Sequence, residues 1–361
     1  MKQFVRYCLR IKSKCMKVTY LFNFIILILL GSCISKELIK EANEKFVIDI
    51  NRQDKITNFL ETTPNNLIGG IDKIVLQNEH IYILDKKQAT IFIFTHNGKY
   101  QNKIANQGRA PGEYLSISDF EVYDSHVYCL SRTNQKIFKY DTNGVFQNTI
   151  QVNDWYDCFH IQNDSTIYLF SDYSNNQLYN YVVYNPITKE IINRLDKFKK
   201  NQGFSFEYSP FHCLDSNLLV SEQYEHTIFS LTSQEKKPLY SFIFNTSDQI
   251  PPFIYTDREK TYHFLQGKET LRRIKGLYIS QGTLNIVYSI FYKNSGIKDF
   301  ISKIDTATKE VKTIKLGDDF FPEYPFLYSA FCVYQDQIIS YIPALLALNV
   351  DKQYGLNQFT S

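Results

Sequence analysis

The sequence is poor in the residues that loosen a chain, with 14 Gly and 10 Pro among 361 residues. Collagen-like and low-complexity architectures are thereby excluded. An excess of one charge is also missing. The 40 Lys and Arg are nearly matched by 37 Asp and Glu, which argues against a nucleic-acid surface as the main business of the protein. No His-Glu-x-x-His, phosphate-binding Gly-rich loop, Gly-x-Ser-x-Gly or Cys-x-x-Cys occurs. No apolar run reaches the roughly 20 residues that a membrane-spanning helix needs. What is plentiful is apolar and aromatic material, 44% and 16% of the chain, enough to exclude disorder and to build a sizeable core.

The basic residues are unevenly placed. Lys2, Arg6, Arg10, Lys12, Lys14 and Lys17 precede the run Leu21–Leu30, and no acid occurs in residues 1–32, so the remainder is net acidic. A short apolar core after bases and before small residues is a secretory signal. Leu30-Gly31-Ser32-Cys33 resembles the lipobox of bacterial lipoproteins, which implies acylation of Cys33 and removal of residues 1–32. Met16 makes the more ordinary start for such a leader. Residues 33–45 are charged and read as a tether, and Ile34 after the cysteine resembles outer-membrane sorting. Cys129, Cys158, Cys213 and Cys332 are widely spaced, mostly within apolar runs, and read as buried free thiols, although export would permit a bridge.

The fold follows from a repeat. Shifted by 46, residues 71–104 lie on 117–150 without a gap and with eleven identities, among them His80/His126, Tyr82/Tyr128 and Asn97-Gly98/Asn143-Gly144. Period-2 apolar runs such as Ile81–Leu84 and Ile91–Phe94 read as strands, and Asn-Gly suits the two-residue turn of a hairpin. The pattern recurs from Cys158, Phe211, Leu277 and Ala330, giving six units of about four strands each. Units apolar on both faces must pack between neighbours, so the expected fold over residues 46–361 is an all-β, six-bladed β-propeller of four-stranded antiparallel blades. The lone N-terminal strand Phe46–Ile50 is expected to close the last blade, which is short of strands.

The lipobox, the loop Asn106–Tyr114 and the following Ile117–Phe120 together resemble the six-bladed propeller lipoproteins of Bacteroides and relatives, which are broadly related to NHL-type propellers. Gly108, Pro111, Gly112, Glu113 and Tyr114 match that family's loop, and Ala110 departs from it. The resemblance is specific in the first two units, weakens from the fourth, and implies the fold without assigning an activity. Some related propellers are metal-dependent lactonases or lyases, with ligands gathered in the channel.

Candidate site residues fall into three groups. Arg109, Glu113 and Tyr114 of the conserved-type loop, with Trp155 and Tyr156, would meet a ligand at the propeller mouth, the flat rings suiting sugars or apolar peptides. The bland alternative is that the loop bridges two units and the rings are packing. Glu121, His160 and His212 would converge on the channel as two imidazoles and a carboxylate suited to a divalent metal. The alternative there is structural hydrogen bonding, and no cofactor is expected. The stretch Thr246–Lys275 interrupts the repeat and would form a short helical lid. The resulting expectation is a lipoprotein of the outer membrane whose propeller is a non-catalytic binding or interaction module for a glycan, peptide or envelope protein. The alternative is a metal-dependent hydrolase or lyase with its site in the channel.

Overall fold

A computed structural model describes residues 7–12, 55–199, 208–214, 216–242, 257–266, 269–280, 282–292, 296–308, 310–316, 332–334 and 337–342. Strands β1 (Tyr7–Lys12) and β2 (Lys55–Phe59) precede the repeats. The first blade is β3 (Lys73–Gln77), β4 (His80–Asp85), β5 (Thr90–Thr95) and β6 (Tyr100–Ile104). The second is β7 (Asp119–Tyr123), β8 (His126–Ser131), β9 (Lys136–Asp141) and β10 (Phe146–Gln151). The third is β11 (Cys158–Asn163), β12 (Thr166–Phe170), β13 (Tyr179–Asn185) and β14 (Glu190–Lys197). In the fourth, β15 (Phe211–Leu214), β16 (Asn217–Ser221), β17 (Thr227–Leu231) and β18 (Lys236–Ser241) follow. Helix α1 (Arg258–Gln266) then leads to the fifth, β19 (Thr270–Ser280), β20 (Thr283–Tyr292), β21 (Gly296–Asp305) and β22 (Val311–Leu316).

Each blade is an antiparallel meander of four consecutive strands, and the described residues form five of them, not the six expected. After the fifth blade the described chain supplies only the hairpin β23 (Cys332–Tyr334) and β24 (Gln337–Ile342). That hairpin is completed by β1 and β2 into a composite sheet of order β2-β1-β24-β23, so the sixth repeat does not make a blade of its own. Tyr7 lies opposite both Phe59 and Ile342, which places β1 between its two partners. The strand that joins the two chain ends is therefore Tyr7–Lys12, within the segment read as a leader. Phe46–Ile50, expected in that role, lies outside the described residues, as does Cys33.

Turn chemistry departs from expectation in one respect. In the first two blades the two-residue hairpins are Asn78-Glu79 and Asp124-Ser125, where both residues take positive φ, 50° and 59° in one and 45° and 56° in the other. The Asn-Gly pairs sit in longer loops. Thr95 N donates to Lys99 O at 2.9 Å around Gly98, which alone supplies the left-handed residue at φ 86°.

The core lies between blades. Tyr82, Leu84, Ile91 and Ile93 of the first blade pack with Phe120, Val127, Cys129 and Tyr140 of the second. The same arrangement joins second to third, third to fourth and fourth to fifth. Strands buried on both faces explain why the period-2 runs read as continuously apolar. Among the described residues no helix is long and apolar enough to cross a membrane.

Candidate functional site: the axial channel

The first strand of each unit is innermost. β3, β7, β11, β15, β19 and β23 surround a cavity of about 490 Å³ on the propeller axis, lined by residues of the first five. An innermost strand has one unpaired edge, and its outward amides need acceptors. β7 supplies them to β11. Phe159 N donates to Asp119 Oδ2 at 3.2 Å, and Ile161 N donates to Glu121 Oε2 at 2.8 Å. Lys73 Nζ in turn donates to Asp119 Oδ1 and to Phe120 O, both at 2.8 Å. Burial acts to lower the Lys73 ammonium, but the Asp119 and Glu121 carboxylates outweigh it and hold the group above its ordinary value.

The remaining Glu121 oxygen, Oε1, sits 3.1 Å from His160 Nδ1. On the far side of the ring, His160 Nε2 lies 3.9 Å from Cys213 Sγ. Burial would lower the His160 imidazole, yet Glu121 and the sulfur raise it from 6.5 to about 10, so it is an imidazolium at neutral pH. Glu121, His160 and Cys213 thus form one chain across three successive blades. They occupy the third position of β7, β11 and β15 respectively.

His212 does not join them. It lies one residue away from that position, and a one-residue offset in a strand turns a side chain to the other face. Its Nε2 is 2.7 Å from Ser221 Oγ within the fourth blade, and burial drops its pKa to about 4. The Phe-His pairs at 159–160 and 211–212 look alike in sequence but differ in register, so Cys213 takes the channel position. Among the described residues no group of three or more His, Cys, Asp or Glu is arranged to hold a metal ion.

At β19 the ladder slips twice, once between Leu271 and Arg273 and again between Ile274 and Gly276. Arg272 and Lys275 are the extra residues of these two bulges, a device that re-aims side chains. Arg272, Arg273 and Lys275 line a second cavity of about 210 Å³ together with Ser289, Ile297 and Asp299. Arg273 and Lys275 line the axial channel as well, so the two spaces adjoin. Lys275 Nζ donates to Asp299 Oδ2 at 2.6 Å, while Ser289 Oγ donates to Oδ1 at 2.5 Å. Among the described residues lining this cavity, three cations accompany one carboxylate, which Lys275 engages directly. Burial, then the Arg272 charge, lowers Arg273 from its ordinary value, the mark of a positive charge short of compensation. These residues belong to a strand and not to an irregular insertion; of the stretch expected to form a lid, α1 is the helical part.

The other expected site residues divide by exposure. Tyr114 is fully buried; its hydroxyl donates to Ala89 O at 2.9 Å and accepts from Asn106 N at 3.1 Å. Glu113 Oε2 accepts from Ala110 N at 2.8 Å, closing the loop on itself, and Arg109 is exposed. Tyr156 is buried and takes a hydrogen bond from Gln177 Nε2 at 3.3 Å. Trp155 is 39% exposed, with the Arg132 guanidinium 5.9 Å from its ring. Arg132 Nε also lies 3.2 Å from Asp157 Oδ1, and Asp157 lines the channel, so Arg132 links the Trp155 ring to a channel-lining carboxylate. Sequence reasoning missed Cys213 and Lys275. The repeat register was the signal for Cys213, while nothing in the sequence announces a bulge at Lys275.

Blades of four antiparallel strands around a polar axial channel define a β-propeller whose chemistry-bearing residues meet at the axis. The chain belongs to the DUF4934 family, described as a domain of unknown function, whose model matches residues 59–358. A crystal structure of a Bacteroides fragilis protein described as exported is similar, with 18% identity and a TM-score of 0.67 over 82% of this chain and 86% of that one. A member of the DUF4221 family from Bacteroides vulgatus is 9% identical, with a TM-score of 0.51 over 77% and 92% of the two chains. None of the curated proteins matches the chain.

Proposed function

We propose that this protein is an exported, envelope-anchored binding module whose propeller holds an acidic glycan at the channel mouth without turning it over. The observation that carries the reading is the cluster of Arg272, Arg273 and Lys275 against the single carboxylate of Asp299, open to the axial channel. A carboxylate or phosphate group of a ligand would supply the missing charge through bidentate hydrogen bonds to a guanidinium. Trp155, partly exposed and tied through Arg132 to the channel-lining Asp157, offers a flat apolar face on which a sugar ring stacks. Export is supported by the leader-like segment and by the description of the B. fragilis relative. Anchoring rests on Cys33 and its lipobox-like context, with an outer-membrane location as the corollary.

Thermal unfolding against a panel of uronic-acid, sialylated, phosphorylated and neutral oligosaccharides tests the reading. A ligand at a hundred times its Kd adds about 2.7 kcal/mol of stability. Acidic sugars are expected to raise the unfolding temperature, neutral ones to leave it unchanged, and Arg273→Gln to abolish the rise. A rise with an acidic peptide alone moves the ligand to the peptide class. A rise with a divalent metal that EDTA reverses overturns the reading in favour of a channel metal site.

A further inference from the structure

The channel also carries a nucleophile. Cys213 is an exposed free thiol, whereas Cys129 and Cys158 are buried. Its sulfur stands 3.9 Å from His160 Nε2, within hydrogen-bond reach for sulfur, and His160 Nδ1 is fixed on Glu121 at 3.1 Å. A thiol followed by an imidazole, itself oriented by a carboxylate, is the arrangement that activates a cysteine. The His160 ring cannot easily turn away, because it stacks on Tyr168 at 6.5 Å and tilts against Phe211 at 6.0 Å. From these contacts we propose that Cys213 is a reactive thiol that forms a mixed disulfide with small anionic disulfides entering the channel.

The step balances without any further redox partner. The Cys213 sulfur, its proton lost to solvent, attacks one sulfur of the incoming disulfide. A new S–S bond to Cys213 forms as the old one breaks, and the departing thiolate takes a proton from His160 or water. The incoming disulfide is reduced to one free thiol, and Cys213 is oxidised. His160 Nε2, held against the sulfur by the Glu121 contact at Nδ1, orients the thiol toward the channel. Groups facing His160 are Glu121 from β7, Tyr168 from β12 and Cys213 from β15. Lys73, Asp119, His212, Arg273 and Lys275 line the same channel, the last two adding attraction for an anionic disulfide. Cys129 and Cys158 are buried and so not placed to resolve the adduct, and an external thiol is expected to release it.

The test is the rate of adduct formation with oxidised glutathione, followed by intact mass and located by peptide mapping on the full chain. Wild type is expected to be modified at Cys213 at least about tenfold faster than His160→Gln or Glu121→Gln at the same pH. The neutral disulfide bis(2-hydroxyethyl) disulfide should show the same dependence on His160 but less on Arg273. Thermal unfolding of each variant shows that it is folded, and Cys213→Ser should remove the adduct. Equal rates in wild type and both variants, or modification confined to other cysteines, would overturn the proposal.

Discussion

Lys73 and Asp119 hold the same position in two successive repeats, and their side chains meet, Lys73 Nζ donating to Asp119 Oδ1 at 2.8 Å. Forty-six residues of spacing thus become one blade-to-blade contact. Asp119 is the buried partner, and its other oxygen takes the Phe159 amide. Removing the carboxylate takes away the ion-pair partner of Lys73 and the acceptor of the Phe159 amide together. Asp119→Ala is expected to lower stability by about 3 kcal/mol in denaturant unfolding. The double variant Lys73→Met/Asp119→Leu should recover part of that loss but stay below wild type, because Phe159 N–H still has no acceptor.

His212 sets an acid limit. Its folded-state pKa is depressed from 6.5 to about 4, so the unfolded chain binds the proton more readily. Its contribution is full above pH 6.5 and is lost as the pH falls toward about 4. The unfolding midpoint is expected to fall across that window. His212→Gln should flatten the slope there without changing it above pH 7. An identical slope in the variant would show that carboxylates alone carry the acid sensitivity.

The loop around Tyr114 is a structural joint. Tyr114→Phe deletes a hydroxyl that donates to Ala89 O and accepts from Asn106 N in a buried setting. The loss is expected to be about 1–2 kcal/mol, with no change in ligand affinity. Trp155→Ala should do the reverse, weakening glycan binding at little cost in unfolding temperature.

Gly112 has a second role in the same joint. It takes φ +82°, and a Cβ there would lie 2.7 Å from Phe146 Cγ. Gly112→Ala is therefore expected to destabilise by about 1–3 kcal/mol through strain and the displaced ring, measured in chemical denaturation.

Much of this fold was legible because it is periodic. Tyr82/Tyr128 and Leu84/Leu130 match across the repeat, and each pair faces an inter-blade core, so pattern and burial coincide. The blade count was not legible, since the number of units does not say which strands complete the last one. Closure of the last sheet by an N-terminal strand was legible from its shortage of strands, but the part taken by Tyr7–Lys12 was not, because that segment reads as a leader. At the site, Glu121 and His160 could be placed on the channel from strand order. Cys213 was hidden by an imidazole one position before it, because Phe211-His212 mimics Phe159-His160 while the ladder register differs. The Arg272–Lys275 cluster was hidden because bulges break the alternation from which facing is read.

The central place of β1 in the composite sheet bears on maturation. Cleavage at Cys33, as the leader-like segment implies, would take Tyr7–Lys12 out of the middle of that sheet. β2 and β24 would then face each other across a gap of two ladder spacings, about 10 Å, each with a bare row of amides and carbonyls. Precursor and processed chain cannot share one closing sheet. The gap is the width of a single strand, and its occupant, drawn from the same molecule or from a neighbour, decides whether the ring seals within one chain or between two.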